Sequence, residues 1–91
     1  MRIDAVTTLV NIYLEGDIMH LISLSERNGK PLTQSHIDIS TNFVLGGMCI
    51  PMAAHLNSGL TIKTVYYDEY GEYLFQVTTS KEACDRFIRN R

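Results

Sequence analysis

Leu60–Thr78 reads LTIKTVYYDEYGEYLFQVT. Two runs rich in β-branched and aromatic residues, Leu60–Tyr67 and Glu72–Thr78, flank a short polar stretch containing Gly71, the pattern of a β-hairpin. A type I turn over Asp68, Glu69 and Tyr70 with Gly71 in the left-handed region, forming a bulge, fits these residues. That turn pairs Tyr67 with Tyr73, Val65 with Phe75 and Lys63 with Val77. It predicts a core face that is apolar or aromatic except at Lys63. Ile62, Thr64, Tyr66, Leu74 and Gln76 then lie on the other face, and a slip of one residue would exchange the two.

A second hairpin precedes it. Val6–Leu14 and Ile18–Leu24 are rich in β-branched residues, and Gly16-Asp17 between them suits a two-residue turn. This register sets Glu15 opposite Ile18, Leu14 opposite Met19, Ile12 opposite Leu21 and Val10 opposite Ser23. Ile3, Val6, Val10 and Tyr13 also fall at helical spacing, with Asp4 as a cap and Gly16 beyond the end. Strand is favoured because Val, Thr, Ile and Tyr dominate the run.

Between the hairpins, Arg27-Asn28-Gly29-Lys30 reads as a turn, and Ser35–Ile39 as a short strand or a helix entry. A helix is expected from Asn42 to Asn57, with Gly59 suited to its C-terminal stop. Gly46 and Gly47 each cost about 1 kcal/mol of helix propensity, and Pro51 should kink or split it. A helix bearing those costs is expected to pack its small face (Gly46, Gly47, Ala53, Ala54) against a sheet or a second chain. Thr79 and Glu82 form a capping box for a last helix, whose buried stripe would be Ala83, Cys84, Phe87 and Ile88. The order is ββαββα. It predicts one α+β domain over residues 1–91, a four-stranded antiparallel sheet with two helices on one face. A chain of 91 residues has an adequate but thin core, burying a little over ~60% of its unfolded surface.

Composition excludes more than it identifies. The net charge of -2 and pI near 5.8 argue against duplex DNA, since phosphate contacts demand a basic excess. Arg86, Arg89 and Arg91 read as cations at a helix C-terminus. The longest apolar run, Phe43–Leu56, is short of the roughly 20 residues of a membrane span, and no signal peptide is recognised at the N-terminus. Cys49 and Cys84 form no C-x-x-C pair, so free thiols in a reducing cytosol are expected.

No phosphate loop, G-x-S-x-G or H-E-x-x-H motif is present. His20, His36, His55, Cys49 and Cys84 lack the tight pairing of a metal site. Cys49 lies among Met48, Ile50 and Met52, which favours a buried, inert thiol over a nucleophile. Asp68, Glu69 and Glu72 sit on a turn, where water keeps them ionised. Neither catalysis nor a cofactor is expected.

What remains is a surface. Tyr66 and Tyr70 lie outside the expected core face, flanked by Asp68, Glu69 and Glu72. Tyrosine gives large contact area at low entropic cost, and carboxylates steer toward a basic partner. These five residues are the expected partner-binding site. The partner would be a protein with a basic surface, such as a nucleic-acid-binding complex. The expected function is that of a cytoplasmic inhibitor or adaptor, by analogy of size and character with phage and mobile-element anti-defence proteins of the anti-CRISPR kind. The alternatives are a homodimeric regulator packed through the Gly46–Ala54 helix and a small enzyme using Cys49.

Overall fold

The computed structural model describes residues 7–89. Ile3, Asp4 and Val6 of the rival helical reading, and the cation Arg91, lie outside them. The first hairpin consists of β1 (Thr7–Glu15) and β2 (Ile18–Ser25). Its register matches the expectation from Glu15–Ile18 through Ile12–Leu21. A bulge between Leu9 and Asn11 then sets Leu9, not Val10, opposite Ser23. Gly16 supplies the turn with a φ of 60°, a conformation that costs glycine little.

The chain next crosses the sheet through two helices. Helix α1 (Gln34–Met48) starts earlier than the expected Asn42, because the Thr33 hydroxyl accepts the His36 N–H at 3.2 Å and caps its first turn. The helix stops before Pro51 and resumes as α2 (Ala53–Asn57), the split that a proline without an N–H produces. Strand β3 (Thr61–Tyr67) follows, its first N–H donating to the Asp17 carbonyl at 2.9 Å. Strand β4 (Tyr73–Thr79) and helix α3 (Lys81–Arg89) complete the described chain. Ser80, not Thr79, caps α3: its hydroxyl accepts the Ala83 N–H at 3.1 Å, and Thr79 is buried at the end of β4.

The sheet order is β1-β2-β3-β4. The α+β class and the four strands are as expected, but the sheet is mixed. β2 and β3 run parallel, while the outer pairs are antiparallel. The helical crossover from Glu26 to Leu60 explains this, since it returns the chain to the end of the sheet where β2 began.

The helices cover one face, where Val44, Leu45, Cys49 and Leu56 pack against Ile62, Tyr66 and Val77. Their principal sheet contacts are with β4. Cys49 and Cys84 are joined by a disulfide that ties the end of α1 to α3, with a Cα–Cα distance of 5.5 Å. Ile88 is exposed rather than part of the α3 stripe. Gly46 and Gly47 are also exposed. An added Cβ would meet only Phe87 at 3.9 Å from Gly46, and nothing within 4 Å from Gly47. Gly46 and Gly47 therefore do not pack against this chain's own sheet.

Candidate partner-binding surface

The β3–β4 turn forms as its sequence suggests. Gly71 has a φ of 82°, and its N–H donates to the Asp68 carbonyl at 3.1 Å. The Asp68 carboxylate accepts the N–H groups of Tyr70 and Glu72, both at 2.9 Å, and the Asp68 N–H donates to the Glu72 carbonyl at 2.8 Å. Tyr67 lies opposite Tyr73 as expected, in an edge-to-face contact at 6.2 Å.

Beyond that pair, Leu74 is an extra residue in β4, and Tyr66 lies opposite Phe75. The bulge lets both Leu74 and Phe75 pack against the core, and it exchanges the faces of β3. Ile62, Thr64 and Tyr66 face the helices. Tyr66 is only 7% exposed and stacks on Phe75 at 4.5 Å.

The five expected contact residues therefore separate. Tyr66 belongs to the core. Asp68 is buried and holds the turn. Glu69 accepts the N–H groups of Arg27 and Asn28 at 2.9 and 3.1 Å, joining this turn to the one before α1. Tyr70, 83% exposed, and the exposed Glu72 are left to face solvent at the tip.

A larger open surface lies elsewhere. β1 is an edge strand, and its residues from Val10 to Glu15 are exposed. Ile12 and Leu14 point to the helix side of the sheet, yet are 56% and 64% exposed, because the helices lie over the other half. Tyr13, on the opposite face, stacks on His20 at 4.5 Å, and the His20 Nε2 lies 3.5 Å from the Glu15 carboxylate. At the turn end of β1 an open cleft of about 380 Å³ is lined by Leu14, Gly16, Asp17, Ala54, His55, Ser58 and Leu60. The β1–β2 turn and the β3–β4 turn stand at opposite ends of the sheet, as the parallel register of β2 and β3 requires. The expected register already set Leu14 beside Met19 and Ile12 beside Leu21 on one largely apolar face of the hairpin. Nothing in the strand's own pattern says whether it lies at an edge.

Cys49 is not available as a thiolate, since it is bonded to Cys84. Among the described residues, no three side chains of His, Cys, Asp or Glu are grouped to hold a metal ion. No helix of the described residues is long and apolar enough to cross a membrane.

No family model matches the chain, and no curated protein matches it. Solved structures share the fold. The type 2 secretion pilotin EpsS of Vibrio vulnificus matches with a TM-score of 0.70 at 12% identity, over 86% of this chain and 71% of that one. The type II secretion pilotin AspS of Vibrio cholerae matches at 0.68 and 11% identity, over 89% and 74%. A protein of Pseudomonas aeruginosa described as secreted matches at 0.78 and 10% identity, over 92% and 77%.

At such identities the likeness is one of fold. It nevertheless corrects the expectation of a cytoplasmic phage or mobile-element inhibitor, because the solved structures the chain resembles here are two secretion pilotins and a protein described as secreted. The expectation of free cytosolic thiols falls to the disulfide itself, a bond that persists in oxidising compartments. A protein partner is in keeping with the secretion-system neighbours. They lend no support to a basic partner surface or to a nucleic-acid complex.

Proposed function

We propose that the chain is a pilotin-like adaptor of the bacterial cell envelope, a non-catalytic domain that holds a component of a type II secretion machinery. The observation that carries this reading is the fold shared with two pilotins. The disulfide supports an oxidising compartment such as the periplasm. The uncovered β1 half of the sheet supplies the docking surface an adaptor needs. Tyr70 and Glu72, at the far end of the sheet, would form a separate contact for a partner with basic side chains.

The test is made in the organism that encodes the chain. Envelope and cytosolic fractions are compared, free thiols are alkylated before and after reduction, and the protein's crosslinks are identified by mass spectrometry. The expected result is an envelope protein whose cysteines react only after reduction, crosslinked to an identified type II secretion component. A cytosolic protein with freely reactive cysteines would sink the proposal, as would crosslinks confined to proteins outside that machinery.

A further inference from the structure

β1 combines features that edge strands of folded proteins usually avoid. Such edges are blunted by Lys, Pro, bulges or a covering element. β1 reads TTLVNIYLE, without Lys, Arg or Pro. Its bulge falls at Val10, so Asn11–Glu15 continue in regular register.

The two-residue turn makes Glu15 and Ile18 the closing, hydrogen-bonded pair of the hairpin. Alternation from that pair directs the main-chain groups of Glu15 and Tyr13 toward β2 and those of Leu14 and Ile12 outward. The same two residues carry the exposed apolar side chains of the helix side. An incoming extended chain would meet main-chain donors, main-chain acceptors and apolar side chains in one row, the mode of strand addition to a sheet edge.

Two further observations define the occupant. Between Thr7 and Ser25 the only formal charges are Glu15 and Asp17, both acidic and both at the turn end. The cleft at that end has Leu14, Ala54 and Leu60 among its lining residues. A second copy of the chain is poorly suited. Two rigid edges would meet over the six exposed residues of each β1, against the roughly 20–30 residues a side of a stable interface. A flexible segment can pair with the edge and also fold its side chains into the cleft.

We propose that β1 receives an extended segment of a partner protein as a fifth strand. The segment pairs with the main chain of Ile12 and Leu14, seats one apolar side chain in the cleft beside Ala54 and Leu60, and sets a lysine or arginine against Glu15 and Asp17. The proposal rests on the adaptor reading only for the partner's origin; the mode of binding stands on the strand.

The probe is a synthetic peptide of alternating valine and threonine with a lysine at each end, titrated into the ¹⁵N-labelled 91-residue chain. Amide exchange at Ile12 and Leu14 should slow by at least about tenfold, while Tyr13, already paired to β2, stays unchanged. Ile12→Lys or Leu14→Lys should weaken binding by at least about tenfold. Each variant should keep the native melting temperature, because its side chain is exposed.

Absence of binding at millimolar peptide would overturn the proposal. Binding that moves Ile39 and Phe43 on α1 and leaves the two β1 amides exchanging freely would overturn it in favour of a site on the helix. Protection of those amides in the free chain at high concentration would give the edge to a second copy. The adaptor reading fails separately. If crosslinks to a secretion component survive Ile12→Lys and Leu14→Lys, strand addition is wrong and the adaptor stands. If the peptide adds to β1 but no secretion component crosslinks, the reverse holds.

Discussion

The two hairpins carry the same alternating apolar pattern and put it to different uses. On β3 and β4, Ile62, Tyr66 and Val77 lie beneath the helices in the core. On β1, Ile12 and Leu14 point to the same side of the same sheet and meet no covering helix. The difference arises from the crossover, not from the strands. Of the helices that link β2 to β3, α1 makes its main sheet contacts with β4 and α2 packs against α3, and the disulfide ties the end of α1 to α3. Alternation therefore specifies which side of a strand is apolar. It does not specify whether that side is covered by the chain itself or by something else.

The comparison breaks most severely if the covered half loses its staple. The disulfide closes a loop with a sequence separation of 35 residues. By the chain-entropy estimate, Cys49→Ala with Cys84→Ala should cost about 3–4 kcal/mol. For a domain of this size that lowers Tm by on the order of 15 °C or more. Thermal melts with and without reductant check this. A native protein indifferent to reductant would mean that α1 and α3 hold the core without the bond.

The next effect sets the halves directly against each other. Ile62 is 1% exposed, and Ile62→Ala should cost about 3 kcal/mol, through lost transfer energy and a cavity. Leu14→Ala removes a side chain of similar size from the same side of the sheet, yet should change stability by no more than about 0.5 kcal/mol. Urea unfolding of both variants measures the contrast. Equal losses would mean that β1 is covered in solution and that its exposure is not a free surface.

What the sequence allowed one to read follows the same division. The turns were legible because Gly16, Gly71 and Asn28-Gly29 sit where positive φ is needed. The split at Pro51 was legible for an equally local reason. The bulge at Leu74 was not. Both registers place apolar residues on a face, and only the demand of a helix layer for Tyr66 decides between them. The disulfide was hidden because its cysteines lie far apart in sequence and meet only through the packing of α1 against α3. For the candidate site, Tyr70 and Glu72 were correctly read as exposed, while Tyr66 was misplaced by the same register error. The β1 edge could not be found, since strand order depends on the path of the crossover.

A smaller effect tests the turn of the covered hairpin. Asp68→Ala removes the acceptor of two backbone N–H groups and should cost about 1.5 kcal/mol, as hydrogen bonds to a carboxylate do. Asp68→Asn keeps one acceptor oxygen and should lose less. If Asp68→Ala unfolds at the native urea concentration, the turn is held by Gly71 and the strands alone.

The smallest effect has the opposite sign and falls beneath the helices, at the centre of the sheet. Thr64 is buried on the helix side, and its Oγ1 has no hydrogen-bond partner among the described residues. A buried hydroxyl without a partner carries a desolvation cost that no hydrogen bond offsets. Valine has nearly the same shape without that oxygen. Thr64→Val should therefore leave stability unchanged or raise it by up to about 1 kcal/mol, read as a higher urea midpoint at constant slope. A clear loss would mean that the hydroxyl is bonded in solution, with a water molecule as the candidate acceptor. In that case the covered half of the sheet would be less dry than its packing implies, and its contrast with the open β1 half would narrow.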